Sequence, residues 1–250
     1  MSGTLHRVAA IIQARCGSTR LHNKIFEPIG PKPLLWWVVK RLKNTPLVDS
    51  VIIATSTLEP DAAVEAFAAS EGLPCVRGSE DDVLDRYMAA IRAYPAQTVV
   101  RATGDNPLVD PATLNNMIKA HLASGADYTG LSGSAPLGST AEVFSAEALE
   151  RTWREAQTPQ YREHVTAYMY TNPDKFRINR VPAANGVTGR RYRLTVDTAK
   201  DMELVKTIYA KLDEHGEPFD CVHAVKLLEA HPEMAAINAG VEQKDWRETK

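Results

Sequence analysis

Short apolar runs and helical stretches alternate along the first half of the chain. The apolar runs predict four buried strands, over residues 7–13, 50–55, 74–78 and 97–103. The stretches between and after them have helical periodicity and cover residues 33–43, 60–71, 82–94 and 111–124. Three of these helices are predicted to open at a proline, Pro33, Pro60 or Pro111. This order of elements predicts a parallel sheet with right-handed crossovers.

The second half breaks this alternation. A Gly- and Ser-rich segment, 130–141, leads to a short strand at Glu142–Phe144. Helices are then predicted over 146–157, 160–170, 199–212 and 218–230, and strands over 175–181 and 191–197. We see no internal repeat and no linker-like change in composition. The prediction is one domain over 1–250, with a nucleotide-binding half at about 7–130, an acceptor and dimerisation half at about 131–197, and C-terminal helices over 198–250.

Composition narrows the class of protein. Hydrophobic residues make up 44% of the chain and charged residues 24%, which is ordinary for a soluble globular protein. The net charge of −2 gives no basic excess for a nucleic-acid partner. The three cysteines lack metal-site or disulfide spacing, and no signal peptide or membrane span is evident, so we expect a cytoplasmic protein without a membrane or nucleic-acid partner.

A cationic loop follows the first strand. It contains Arg15, Gly17, Arg20 and Lys24, a set suited to a triphosphate, with loop amides available to form an anion-binding nest. The spacing is neither that of a P-loop nor that of a dinucleotide fingerprint. The alternative is a solvated loop with scattered charges.

Two aspartates stand at predicted strand ends. Asp105 follows the fourth strand within Gly-Asp-Asn-Pro, and Asp197 follows the strand at 191–197. Ligands of open parallel sheets bind at the carboxyl ends of the strands, and Mg²⁺ is typically held by one or two carboxylates plus substrate phosphates. The alternatives are an Asp that begins a turn and an Asp that caps a helix.

The third strand is followed by the acidic segment RGSEDDVLDRY, residues 77–87. Ser79 and Asp82 have the spacing of a capping box for the next helix. We interpret Glu80 and Asp81 as cap and surface residues, and place Gly78 and Ser79 near a nucleobase or ribose.

Seven segments together carry a family resemblance: IIQARxGSTRL, RGSEDDVLDRY, RxTGDNPLVDP, EVFSxEAL, YREHVT, LTVDTxxD and INAxVEQK. In this order, from about residue 7 to residue 244, they resemble the spore-coat-polysaccharide type of cytidylyltransferase. That group is related to the acylneuraminate and 3-deoxy-manno-octulosonate cytidylyltransferases. The resemblance implies an α/β fold, a mostly parallel central sheet flanked by helices, of the GT-A-like nucleotidyltransferase type.

The resemblance also implies CTP as the donor, Mg²⁺ as the cofactor and pyrophosphate as a product. It makes Asp105 and Asp197 the metal ligands, and Arg15, Lys24 and Asp105 the catalytic residues. The candidate nucleotide-binding residues lie after the first, third and fourth strands: Ala14, Arg15, Gly17, Ser18, Thr19, Arg20, Lys24, Gly78, Ser79, Thr103 and Gly104.

The chain departs from the family pattern in places. Cys16 stands where methionine is common, His22-Asn23 where Pro-Gly is common, and Gly240 where a histidine is usual. The usual GLDVEVF reads GSTAEVF here, with Thr140 in place of aspartate, so the identity of the acceptor is open.

Candidate acceptor contacts lie in the second half: Thr140, Glu142, Arg162, His164, Arg191 and Arg193. For His164 a helix-surface position is as good an interpretation. Arg191 and Arg193 share one face of a strand and could bind an acceptor carboxylate or phosphate, or could equally guard an edge strand. A homodimer formed through about 142–193 is expected from the resemblance.

The sequence therefore predicts a cytidylyltransferase that transfers CMP to a sugar, an acidic sugar or a small phosphorylated acceptor, in the synthesis of an activated precursor for surface polysaccharide or a related product. Two other functions remain open at this point. One is a GT-A glycosyltransferase that uses a nucleotide-sugar, and the other is a catalytically silent nucleotide-binding protein.

Overall fold

A seven-stranded sheet crosses the molecule in the order β5-β4-β1-β6-β8-β7-β9. The computed structural model describes residues 7–18, 20–184 and 186–248. The strands of this sheet are β1 Val8–Gln13, β4 Ser50–Ser56, β5 Cys75–Gly78, β6 Thr98–Thr103, β7 Tyr128–Ser132, β8 Glu142–Ser145 and β9 Ile178–Pro182. A separate hairpin joins β2 Pro28–Ile29 to β3 Lys32–Pro33. Only β8 runs against its neighbours among the strands of the large sheet, so the predicted mostly parallel α/β sheet is confirmed.

The central strands are buried on both faces. Ile11 and Ile12 of β1 point to opposite faces, and neither is exposed. Parallel strands covered by helices on both sides read as continuous apolar runs, which is why the sequence pattern identified them.

The helices form a layer on each face of the sheet. Their bounds are α1 Leu34–Lys43, α2 Ala62–Ser70, α3 Val83–Ala93, α4 Pro111–Ser124, α5 Ala146–Glu155, α6 Pro159–Glu163, α7 Ala167–Thr171, α8 Ala199–Glu214, α9 Cys221–Ala230 and α10 Pro232–Ala235. The helices α1, α2, α4, α8 and α9 share one apolar core, and α3, α5 and α7 share the other. Short 3₁₀ turns lie at Lys24–Phe26, Glu59–Asp61 and Trp246–Glu248. Within the described ranges, every helix is too short or too polar to traverse a bilayer.

Three predicted elements differ from the structure. No strand was predicted at 128–132, yet β7 lies there. The predicted strand at 191–197 is wrong, because this segment forms a single bridge between Arg193 and Leu137 instead of a ladder. The predicted helix over 160–170 is two short helices, since Val165 has a φ of 40° and interrupts it.

Candidate active site

The carboxyl ends of β1, β4, β5 and β6 meet at one edge of the sheet, and the loops that follow them carry most of the predicted site. Gln13 of β1 pairs with Thr103 of β6, so the loop after each strand begins at the same level. Because β8 is antiparallel, its first residue, Glu142, lies near this edge, opposite Arg101.

An ammonium group lies between the two predicted metal ligands. Lys24 Nζ donates to Asp105 Oδ2 at 2.7 Å, to Asp197 Oδ1 at 2.9 Å and to the carbonyl oxygen of Val196 at 2.7 Å. Lys24 is only 8% exposed. The structure thus brings together Asp105 and Asp197, which lie 92 residues apart in the sequence, around one buried cation.

This contact changes the ionisation of both partners. Burial alone would lower the pKa of Lys24, but the charges and hydrogen bonds of Asp105 and Asp197 outweigh it and raise this pKa above its ordinary value. Burial opposes ionisation of Asp197, yet Lys24, Arg20 and Arg193 together lower its pKa. Lys24 and Asp197 are therefore both charged at neutral pH.

Backbone contacts fix the two acids in place. The amide of Gly104 donates to the carbonyl of Gln13 at 2.9 Å, and a Cβ at Gly104 would lie only 3.0 Å from the Cβ of Ala14. The amide of Val196 donates to the carbonyl of Asp105 at 2.9 Å. The segment before Asp197 is therefore tied to the loop after β6 even though it joins no ladder.

The cap of α8 is Thr198, and this leaves the carboxylate of Asp197 free for Lys24. Asp201 completes a capping box with Thr198, and its side chain also accepts from the amide of Asp197 at 3.0 Å. Arg193, predicted to contact the acceptor, donates to both Asp197 and Asp201 at 2.8 Å. The structure therefore places Arg193 beside the predicted metal ligands.

The other cationic side chains of the loop after β1 also form ion pairs in this ligand-free structure. Arg15 pairs with Glu80 at 3.1 Å, and Arg20 pairs with Asp197 at 3.0 Å. Glu80, interpreted from the sequence as a cap or surface residue, instead faces this loop, and its Oε1 lies 3.1 Å from where a Cβ on Gly17 would be. Thr19 lies outside the described residues.

The loop is folded around Cys16. The amide of Cys16 donates to Oδ1 of Asp61 at 2.6 Å, and its carbonyl accepts from the amides of Ser18 and Asn23 at 2.8 and 3.1 Å. The amides of Cys16 and Ser18 are thus engaged within the protein, which leaves a smaller anion nest than the sequence suggested. Asp61 is 2% exposed and also accepts from Ser56. Burial, and to a lesser extent the charge of Asp61, raises the pKa of the Cys16 thiol to about 11. The thiol therefore stays protonated at neutral pH.

A side chain of the next helix, α3, binds the loop that follows β5. Arg86 donates to the carbonyls of Ser79 and Glu80, and a Cβ on Gly78 would meet the Arg86 side chain at 3.0 Å. The cap of α3 is Asp82, which accepts from the amide of Asp85 at 2.8 Å, so the predicted Ser79 capping box is replaced by a cap three residues later.

The predicted acceptor residues do not form one cluster. Arg162 is bound by Asp82 and by the carbonyl of Trp153, so it fastens α6 to the start of α3. Arg191 lines a cavity of about 400 Å³ together with Arg193. Thr140 is half-buried in the loop before β8. These side chains remain candidates for the acceptor, in three different surroundings.

Glu142 and His164 lie in the same neighbourhood. Glu142 pairs with Arg101 at 2.7 Å and accepts from Tyr128 at 2.6 Å and from Thr166 at 2.8 Å. His164 follows α6, and burial, reinforced by the charge of Arg101, lowers its pKa, so it is neutral at pH 7.

The oxygen atoms present fit a small, hard divalent cation. Among the described residues no three Asp, Glu, His or Cys side chains cluster as a complete metal cage. Two carboxylates completed by phosphate oxygens and water are, however, the usual protein contribution to a Mg²⁺ site. Beside them, Oδ1 of Asn106 is buried without a hydrogen-bond partner in the described part of the chain.

Several residues that build the site were missed by sequence reasoning: Asp61, Glu80, Arg101 and Asp201. Asp201 stands in the quoted LTVDTxxD segment, where its spacing from Thr198 is a capping-box signal. Asp61 looks like an ordinary acid in a helix's first turn, and no local signal marks its contact with Cys16, 45 residues away.

Comparison with known proteins relates this chain to cytidylyltransferases. A family model described as cytidylyltransferase matches residues 9–232. The spore coat polysaccharide biosynthesis protein SpsF of Bacillus subtilis is 39% identical over 236 residues, which cover 92% of this chain and 98% of that protein.

Solved structures share the fold. A cytidylyltransferase from Leptospira borgpetersenii superposes with a TM-score of 0.84 at 28% identity, covering 92% of this chain and 97% of its own. A CMP:2-keto-3-deoxy-manno-octonic acid synthetase complexed with CTP superposes with a TM-score of 0.64 at 18% identity, covering 82% of this chain and 99% of its own. At that identity the second likeness concerns the fold alone.

Proposed function

The chain belongs to the cytidylyltransferase family and is a CTP-dependent nucleotidyltransferase, and from this premise we propose that it transfers CMP from CTP to a sugar, an acidic sugar or a small phosphorylated acceptor, releasing pyrophosphate. The product would be an activated precursor for surface polysaccharide or a related polymer. The relative in spore coat polysaccharide biosynthesis supports this assignment.

One observation carries the proposal. Two carboxylates, Asp105 after β6 and Asp197 just before α8, face a common point that Lys24 Nζ occupies at 2.7 and 2.9 Å. Nucleotidyl transfer needs a concentration of positive charge at such a point, because the α-phosphate gains negative charge as it is attacked.

The chain's own residues bind and orient the nucleotide. In the proposed mechanism Arg15, Arg20 and Lys24 turn from their carboxylate partners to the triphosphate oxygens, and their charge stabilises the departing pyrophosphate. Asp105 and Asp197 then become available as ligands for Mg²⁺, which supplies further neutralisation of the phosphate charge when it is bound. No side chain is required as a nucleophile, because the acceptor oxygen attacks the α-phosphorus directly.

The residues after β5 and β6 complete the proposed nucleotide site. Gly78 and Ser79 border the loop that bears Glu80, the partner of Arg15. We place the base or ribose there, and the phosphates between that loop and Asp105. The acceptor then approaches from the side of Glu142.

The assembly and location complete the proposal. We propose a cytoplasmic homodimer in which about 142–193 supplies the contacts, with 7–130 and 131–197 acting as nucleotide and acceptor halves of one domain. Family membership favours nucleotidyl transfer over transfer of a sugar from a nucleotide-sugar.

A pyrophosphate assay tests the function. The protein is incubated with Mg²⁺, each of the four nucleoside triphosphates in turn, and a panel of sugars, sugar acids and sugar phosphates. We expect pyrophosphate release with CTP and one acceptor class. The proposal would be contradicted if none of the four triphosphates led to pyrophosphate release, or if the protein transferred sugar from a nucleotide-sugar.

Asp105→Asn tests the metal site. The substitution keeps the size of the side chain but removes a charge, so we expect kcat to fall by at least about 100-fold, the scale seen when one electrostatic stabiliser of a transition state is lost. Asp213→Asn on the far end of α8 is a matched control and should leave kcat unchanged. Unimpaired turnover by Asp105→Asn would remove Asp105 from the site.

A further inference from the structure

A row of four residues crosses the sheet below the edge that carries the site. Arg101 of β6 pairs with Glu142 of β8, and Gly130 of β7 pairs with Arg180 of β9. Because Thr129 pairs with Val143 in the antiparallel β7–β8 ladder, Gly130 comes next to Glu142. The row therefore reads cation, anion, no side chain, cation.

The inner pair of this row is already neutralised. Glu142 accepts from Arg101 at 2.7 Å, from the hydroxyl of Tyr128 at 2.6 Å and from Thr166 at 2.8 Å. Arg101 balances the negative charge of Glu142, and the two hydroxyl donors satisfy further hydrogen bonds of its carboxylate. The net charge of the row, +1, therefore resides on Arg180.

Arg180 is exposed and lies over an aromatic ring, without an acidic partner among the described residues. Its guanidinium lies 5.5 Å from the ring centre of Tyr128, and no described carboxylate forms a salt bridge with it. A Cβ on Gly130 would lie 2.6 Å from Nη1 of Arg180 and 2.8 Å from the hydroxyl of Tyr128. The absence of a side chain at Gly130 is therefore what lets the guanidinium lie across β7 toward Glu142. By contrast, Arg177, just before the same strand, pairs with Asp127.

Aromatic rings continue outward from Arg180. Tyr128 packs against Tyr170 at 5.8 Å between ring centres, and Tyr170 packs against Trp246 at 6.2 Å. The tail that carries Trp246 follows Asn238, whose side chain donates to Asp201 and to the carbonyl of Arg193, and Gln243 of this tail accepts from Arg193 at 2.5 Å. The tail thus runs from the neighbourhood of Asp197 to these rings.

We propose that Arg180 binds a phosphate or carboxylate at the end of the acceptor remote from its attacking oxygen, with Tyr170 and Trp246 flanking the carbon skeleton. This inference rests on the proposed function. Asp105 lies in the turn beyond the end of β6, four residues past Arg101, and β9 lies three strands from β6, about 14 Å across the sheet. An anion on Arg180 is therefore not on the carbon that bears the attacking oxygen. The acceptor class is a sugar or sugar acid with a terminal anionic group.

Binding to CTP-loaded protein tests this directly. The protein is saturated with CTP without divalent metal, so that no transfer occurs and the loop cations are occupied. Four probes are then titrated by calorimetry or by saturation-transfer NMR: glucose, glucuronate, glucose 6-phosphate and glucose 1-phosphate. Glucuronate and glucose 6-phosphate separate a carboxylate ligand from a phosphate, and glucose 1-phosphate moves the anion to the other end.

Four variants accompany the wild type: Arg180→Gln, Arg180→Lys, Gly130→Ala and the control Arg177→Gln. We expect Arg180→Gln to weaken the binding of the preferred terminal-anion probe by at least tenfold. Gly130→Ala should do the same without changing any charge, because it displaces the guanidinium. Arg180→Lys should retain part of the affinity, and Arg177→Gln all of it. Glucose should bind equally to all variants, and each melting temperature confirms folding.

Three results would overturn the inference. They are equal probe affinity in wild type and Arg180→Gln, equal affinity of wild type for glucose and both terminal-anion probes, and no binding of any probe. Failure of the proposed function has a different signature, namely no binding of CTP and no pyrophosphate release. In that case the same titrations on nucleotide-free protein still decide whether anion binding depends on Arg180.

Discussion

Lys24 has a structural role that its position in a cationic loop does not reveal. Sequence reasoning grouped it with Arg15 and Arg20 as a phosphate contact. In the ligand-free protein its side chain is buried between Asp105 and Asp197, with a third acceptor at the carbonyl of Val196. Without nucleotide, this ammonium keeps two carboxylates from repelling one another.

Replacing Lys24 by Met should therefore destabilise the ligand-free protein. Removing one partner of a buried charge pair leaves the other uncompensated, so we expect a loss of about 3 kcal/mol in the free energy of unfolding. Urea denaturation measures this. Lys206→Met, which removes the exposed pair of Lys206 with Glu27, is the control and should change stability by less than about 1 kcal/mol. A Lys24→Met protein as stable as the control would contradict the stabilising role.

The acid limb of the stability curve reports on Asp197. Its pKa is lowered from 3.8 in the folded protein, so its stabilising effect is complete above 3.8 and is lost as pH falls through the lowered folded value. We expect the stability difference between wild type and Asp197→Asn to be constant from about pH 5 to 8 and to shrink below pH 3.8. Denaturation at pH 6 and pH 3 checks this, and a difference that grows in acid would refute it.

The loop after β1 depends on an element that is distant in sequence. Asp61, in the 3₁₀ turn before α2, holds the amide of Cys16 at 2.6 Å and ties the loop to the end of β4 through Ser56. The cationic side chains therefore project from a loop fixed at its base. Cys16, which stands where methionine is common in the family, is buried in the structure, with its thiol against the carbonyl of Pro60.

Asp61→Ala should loosen this loop. Loss of a buried acceptor leaves the amide of Cys16 unpaired, at a cost of about 1–3 kcal/mol in stability. We expect KM for CTP to rise by about tenfold and kcat to change less, because Asp61 positions the loop and does not touch the nucleotide. Asp61→Asn retains one acceptor oxygen and should restore much of the affinity. Steady-state kinetics with CTP as the varied substrate measures both, and an unchanged KM in Asp61→Ala would exclude the positioning role.

Elements with long apolar runs were predictable, and those fixed by tertiary contacts were not. β1, β4 and β6 are buried on both faces and were identified from hydrophobicity alone. β7 reads Tyr-Thr-Gly-Leu-Ser, a weak pattern, because Gly130 leaves space for Arg180. The segment 191–197 alternates like a strand but is held by only two backbone hydrogen bonds with Leu137 and one with Asp105.

At the scale of the whole molecule, the strand-end rule predicted that Asp105 and Asp197 lie close together, and the structure places both around Lys24, although the partners of each side chain could not be predicted. Asp105 and Asp197 were expected to meet because both follow strand-like segments. The ion pairs of Arg15 with Glu80 and of Arg162 with Asp82 join residues 65 and 80 positions apart, and no local pattern encodes such distances.

The proposed dimer makes a prediction at this scale. Light scattering should give twice the mass of one chain, independent of CTP. If 142–193 supplies the contacts, Ile178→Asp on the edge strand β9 should shift the protein toward monomer, whereas Leu58→Asp, an exposed apolar residue far from that segment in sequence, should not. A wild type that is monomeric at all concentrations would contradict the dimer.

The four ion pairs that Arg15, Arg20 and Lys24 make in the ligand-free protein would give the proposed nucleotide binding the character of an exchange reaction. Arg15, Arg20 and Lys24 each hold a carboxylate of the protein, so in the proposed mechanism a triphosphate would displace Glu80, Asp105 and Asp197 instead of small ions from solution. Affinity for CTP should consequently fall less steeply with ionic strength than that of an open cationic pocket. The same exchange also sets an order of events: the carboxylates are released at the moment the nucleotide arrives, so the ligand-free enzyme does not present a vacant anionic site to competing cations.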